Sequence, residues 1–117
     1  MSLFIPGSGR QKPICVNLST TNLTAIVTGT AAGILTIESL WISCGTATTL
    51  SVSLTDGITT WPIFNGETLT ANDHDEIKDH HWQIFDGWSL KAQAGAVDRV
   101  TIVAVVSLST QSDNARR

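Results

Sequence analysis

The chain has 117 residues with a formal charge of −3, which fits one domain with one core. Hydrophobic residues make up 42% and charged residues only 15%, so the low-hydropathy, high-charge composition of a disordered chain is excluded. Seven basic residues against ten acidic ones supply no cationic field for phosphates, and a nucleic-acid partner is not expected.

β-Branched residues dominate. Thr, Ile and Val number 16, 11 and 8; such side chains lose rotamer freedom in helices and pack well on pleated surfaces. No segment repeats apolar residues at i, i+3, i+4 and i+7 over three turns, so the expectation is all-β. The start, Met1-Ser2-Leu3-Phe4-Ile5-Pro6-Gly7, is too broken for a signal h-region. The longest apolar run, Ile102 to Val106, is too short for a bilayer helix, and no membrane partner is expected.

In chain order, residues 1–13 read as an extended N-terminal arm punctuated by Gly, Pro and Ser. Ile14 to Asn17 and Leu23 to Thr28 are short strands, and Gly29 to Gly33 is a turn. In Leu35 to Cys44 the apolar parity shifts by one after Ile37, which calls for a β-bulge near Ser39. Leu50, Val52 and Leu54 alternate with Ser and Thr, giving one apolar and one hydroxyl face. Asp56-Gly57 and Asn65-Gly66 are hairpin signals. Pro62 restricts the strand between them to an edge or a bulge.

Residues 72–81 form the one charge-dense segment and read as a loop. Trp88, Leu90, Ala92 and Ala94 then share a face. In the last strand Val100, Ile102, Ala104, Val106 and Leu108 line one face, with Val103 and Val105 on the other. A strand apolar on both faces is covered twice or covered by another subunit. Seven or eight strands at this spacing predict a single antiparallel β-sandwich or jelly roll over residues 14–108, with the arm before it and a polar C-terminal tail, 109–117, after it.

Chemistry is sparse. Cys15 and Cys44 are no disulfide framework and read as small buried hydrophobes. His74, His80 and His81 are the candidate metal ligands, since imidazoles flanked by carboxylates suit zinc or iron. Three histidines on one loop are poorly fixed, so a solvated acidic loop is the favoured reading and no cofactor is expected. There is no Gly-x-Ser-x-Gly elbow and no phosphate-binding glycine loop, which argues against an enzyme. Of the four tryptophans, Trp61 and Trp82 are the candidates for partial exposure. An exposed indole can stack on a sugar ring, which leaves a carbohydrate-binding module as an alternative; burial in the core or a subunit interface is favoured.

Four segments carry a family likeness: Ile34-Leu35-Thr36-Ile37-Glu38-Ser39-Leu40-Trp41-Ile42-Ser43-Cys44, Thr48-Thr49-Leu50-Ser51-Val52-Ser53-Leu54-Thr55-Asp56-Gly57, Phe85-Asp86-Gly87-Trp88-Ser89-Leu90-Lys91-Ala92-Gln93-Ala94, and Val100 to Leu108. In their order, covering 40 of the 117 residues, the chain resembles small β-sandwich virion proteins of tailed bacteriophages. The Trp61-Pro62 edge and the acidic His-rich segment depart from that pattern. The resemblance implies a virion structural protein located in the particle, with capsid decoration (cement) first and a tail, head–tail or spike-base component second. It implies homo-oligomers and contacts with other virion proteins such as the major capsid protein. Leu3, Phe4 and Ile5 would then anchor the arm on a neighbour, with Val103, Val105 and Trp61 as further interface residues.

Overall fold

The computed structural model describes residues 11–110, with the side chains of residues 78–81 and 110 left out. It contains eight strands: β1 (Lys12–Asn17), β2 (Thr24–Thr28), β3 (Gly33–Cys44), β4 (Thr48–Thr55), β5 (Thr60–Leu69), β6 (Asp73–Ile84), β7 (Ser89–Ala94) and β8 (Val100–Thr110). β1 therefore starts at Lys12, two residues inside the expected arm.

The strands form two antiparallel sheets packed face to face. Their orders are β1-β8-β3-β6 and β2-β7-β4-β5. Consecutive strands alternate between sheets, except for the β4–β5 hairpin, and β8 inserts between β1 and β3. This is the eight-stranded jelly roll of two interleaved Greek keys. Between the alternatives of a plain sandwich and a jelly roll, the pairing decides for the jelly roll.

The core follows the alternation. Ile37, Leu40, Ile42 and Cys44 from β3 and Val100, Ile102, Ala104 and Val106 from β8 are buried against Leu50, Val52, Leu90, Ala92 and Ala94 of the facing sheet. The predicted bulge is present: Ile37 pairs with Val106 and Ser39 with Val105, so Glu38 is the extra residue. It places both Ile37 and Leu40 inward, as two successive runs of opposite parity require.

Two turn expectations are corrected. Asn65-Gly66 does not end a hairpin, because β5 runs through it. Leu50 pairs with Glu67 and Val52 with Phe64, so Asn65 and Gly66 together oppose Ser51. Gly66 has φ +69, and its N–H donates to Ser51 Oγ at 2.9 Å. A left-handed glycine serves a bulge as well as a turn, and the dipeptide alone does not distinguish them. The neighbouring register shift skips Ile63, and Pro62 lies on the outer edge strand, where its missing N–H is tolerated.

The second correction concerns residues 72–81, which are strand from Asp73 onward and not loop. Only Ala71 and Asn72 turn the chain, Asn72 at φ 60, and β6 begins at Asp73. β6 is the outermost strand of its sheet; its Asp73 and Asp75 are exposed while its backbone pairs with β3. Asp73 and Asp75 stand opposite Cys44 and Ile42, at positions that would otherwise face inward. Charge and irregularity on an outer strand discourage pairing with another chain.

Candidate interaction surface

The outer face of the β1-β8-β3-β6 sheet is built by the register. Val103 pairs with Cys15 on one side and with Trp41 on the other. Val105 pairs with Pro13 and Ser39. These residues alternate with the buried Ile102, Ala104 and Val106 and therefore face outward. Trp41 is 42% exposed, Cys15 and Pro13 are exposed, and Val103 and Val105 are half-buried.

The result is an apolar strip across three strands. It is bounded at one end by the polar row Asn17, Thr101, Ser43 and His74, which are also register partners. Within that row Thr101 Oγ1 donates to Asn17 Oδ1 at 3.3 Å, and Asn17 Nδ2 donates to Asp98 Oδ1 at 2.9 Å. At the other end Ser107 Oγ donates to Glu38 Oε2 at 2.7 Å. On β6 the same two rows end in charged positions, Glu76 opposite Trp41 and Lys78 opposite Ser39; an apolar strip with a polar and charged rim is suited to contact with another apolar surface.

Val103 and Val105 thus occupy the outward face that the sequence assigns them. Trp41 is the residue sequence reasoning missed. The signal was available, since Leu40, Ile42 and Cys44 face inward and Trp41 alternates with them. Cys15 is corrected from buried to exposed; Cys44 is buried, and neither thiol is bonded. Leu3, Phe4 and Ile5 lie outside the described residues.

Trp61 belongs to a different surface. It sits on β5 at the end of the sandwich formed by the β2–β3, β4–β5 and β6–β7 connections. Trp61 and Trp88 stack at 5.4 Å with an interplanar angle of 8°, and Phe85 meets Trp88 edge-on at 6.1 Å. Trp61 is 45% exposed, Phe85 40% and Ile58 94%. Trp82 is half-buried against the core.

This end is held by close backbone approach. The Gly29 N–H donates to the Trp88 carbonyl at 2.8 Å, and a Cβ on Gly29 would run into the Phe85 carbonyl. The adjoining β4–β5 turn is fixed by side chains. Asp56 Oδ1 accepts from the N–H groups of Ile58 at 2.9 Å and Thr59 at 2.7 Å. Thr55 Oγ1 accepts from Gly57 N–H and donates to the Thr59 carbonyl. The two amides stabilise the ionised carboxylate, so the Asp56 pKa is lowered below its ordinary value.

The histidines are spread out. His74 is exposed on β6, and His80 follows six residues later on the same strand. His74 and Lys78 lie opposite Ser43 and Ser39, so the regular part of the strand alone sets the backbone of His80 more than about 13 Å from that of His74. Between Trp82 and Lys78 the strand carries three residues opposite Glu38 alone, so His80 and His81 belong to a bulge. Among the described residues no group of three or more His, Cys, Asp or Glu side chains gathers.

An open polar depression of about 390 Å³ lies on the other sheet, lined by Thr21, Thr49, Ser51, Gln93, Ala94 and Gly95. Some of its polar groups are engaged with each other: Gln93 Nε2 donates to the Thr21 carbonyl at 2.8 Å, and Gly95 N–H donates to the Thr49 carbonyl at 2.9 Å. None of its lining residues titrates near neutrality, so it offers no acid or base.

No family model and no curated protein matches the chain. Among solved structures, one similar to this chain is described as a pentameric capsid protein isolated from metagenomic phage sequences, with a TM-score of 0.43 and 16% identity, covering 84% of this chain and 61% of that one. A second structure of the same description, solved by iodide phasing, gives a TM-score of 0.42 and 16% identity, covering 84% of this chain and 64% of that one. The chain spans less than two thirds of the length of both.

Proposed function

We propose that this chain is a structural subunit of a phage virion that works by adhering to copies of itself and to other virion proteins, without catalysis. Within that role, capsid decoration is the first assignment, with contacts to the major capsid protein; a tail, head–tail or spike-base position is the second. The observation that carries the reading is β8, apolar on both faces. One face lines the core and the other forms the middle of the Cys15–Val103–Trp41 strip.

The jelly roll supports the reading at the level of architecture, since that fold recurs in viral capsid and lectin domains. A fold does not fix a function, and the uncharged strip tips the balance toward protein contact. In this proposal residues 1–11 serve as an arm and 111–117 as a polar tail, since Lys12 and Pro13 belong to β1 and Ser109 and Thr110 to β8.

Static light scattering of the purified chain across a concentration series tests it, together with rebinding to particles stripped of the protein. A defined oligomer that returns to the particle is the expected result; a monomer at every concentration that ignores particles would overturn the proposal.

The second reading, a carbohydrate-binding module, draws on Trp61, which is 45% exposed beside Phe85. The stack with Trp88 occupies one face of each indole, so at most one ring face of Trp61 remains for a sugar. Titration with a glycan panel, followed by tryptophan fluorescence, separates the two: sugar-dependent quenching favours the module.

A further inference from the structure

We propose that the apolar strip Pro13, Cys15, Trp41, Val103 and Val105 is the seat for the Leu3-Phe4-Ile5 segment of a second copy of this chain. The inference rests on the self-association proposed above and names the contact that makes it. Three observations lead to it.

The first is the chemistry of the strip. It is uncharged over three adjacent strands, ends against Glu76 and Lys78 on the fourth, and includes a tryptophan that is 42% exposed. An occupant has to be apolar, extended and short. Of the two terminal segments outside the described residues, 111–117 reads Gln-Ser-Asp-Asn-Ala-Arg-Arg and has no large apolar side chain. Residues 1–10 carry three in a row, Leu3, Phe4 and Ile5, followed by Pro6-Gly7-Ser8-Gly9.

The second is reach. Ten extended residues span roughly 33 Å, whereas a sheet of four strands spaced about 4.8 Å apart is only about 14 Å wide. The segment is therefore long enough to leave its own sheet entirely.

The third is direction. β1 runs from Lys12 toward Asn17, so the chain preceding Lys12 departs from the strip at Pro13 and away from Cys15. To cover its own strip it would have to reverse within Pro6 to Arg10, while a neighbour's segment can lie across it without reversal. The opposite margins of the molecule do not compete for it. β6 is charged and bulged, and β5 carries Pro62 and two register shifts, so both resist added chain.

Cys15 lies inside the strip as an exposed free thiol, which supplies a native reporter. Full-length Phe4→Cys/Cys15→Ser protein is mixed with wild type carrying a distinguishable tag and oxidised mildly. A disulfide joining the two different chains is the expected product, because that pair can only be linked between copies. In the Phe4→Cys single variant, a link confined to one chain would overturn the proposal in favour of the chain's own arm; no Cys15 link in either experiment would overturn the seat altogether.

A second measurement avoids the engineered thiol. Alkylation of Cys15 by iodoacetamide in the assembled wild type should be slower than in full-length Phe4→Asp by on the order of tenfold, the effect of removing one buried aromatic anchor. Equal rates would also overturn the inference. Light scattering run beside these assays separates the two claims. A persisting oligomer with no link to Cys15 refutes the seat and leaves the structural-subunit reading intact, whereas a monomer that also fails to rebind particles refutes that reading itself.

Discussion

Val103 on β8 and Trp41 on β3 are register partners on the outward face of one sheet, one position away from Ile102 and Ile42, which are buried partners on the inward face. Adjacent residues of the same two strands thus serve opposite purposes, and substitutions should separate them.

Ile102→Ala removes a side chain that is 1% exposed and should cost about 2–5 kcal/mol of stability through lost burial and a cavity. Val103→Ser and Trp41→Ser should each cost less, about 1–2 kcal/mol in the monomer, because both side chains are only partly buried. In the assembly the order reverses, with the outer pair abolishing association. Urea unfolding paired with light scattering checks both halves.

Two glycines provide a steric contrast. Gly29→Ala would drive a methyl group into the Phe85 carbonyl, and the strands at that end must part to admit it. A loss of about 1–3 kcal/mol is expected, with a shifted tryptophan emission as the Trp61–Trp88 stack loosens. Gly45→Ala meets no atom within 4 Å and should leave both readouts near wild type.

Gly66 tests conformation without sterics. Nothing lies within 4 Å of a Cβ there, but its φ is +69. Gly66→Ala should therefore destabilise by about 1 kcal/mol from backbone strain alone. Thermal melts of Gly66→Ala and Gly45→Ala side by side isolate the backbone contribution.

Asp56 predicts a pH dependence. The amides of Thr59, first, and Ile58 hold its folded pKa below the ordinary 3.8. A carboxylate depressed on folding contributes stability that is fully present above the unfolded value and is lost as pH falls through the folded value. The turn should remain closed at neutral pH and open only in acid below that ordinary value. The Ile58 and Thr59 amide shifts, followed by NMR from neutrality downward, should titrate together with the Asp56 carboxyl. In Asp56→Asn that titration should vanish.

The alternation of β3, β4, β7 and β8 was legible in the residues, including the bulge before Ser39, because a two-residue period with a single slip has one simple reading. The outward place of Val103 and Val105 followed from the same rule. The acidic stretch 72–81 was misread for a physical reason. Its charges signal contact with water, which a loop and an outermost strand provide equally, and only the pairing with β3 distinguishes them. Asn65-Gly66 failed similarly, since a left-handed glycine suits both a hairpin and a bulge.

The order of residues by itself determined an all-β chain with one core, two-sided apolar character in its last strand and no clustered catalytic motif. These properties reside in local periodicity and composition. What only the tertiary structure decided was which strands became neighbours: β8 between β1 and β3, β6 at the margin, and Trp61 against Trp88. Those pairings join residues far apart in the chain, and hydrogen-bonded register, which has no local signature, assembled Cys15, Val103 and Trp41 into one surface.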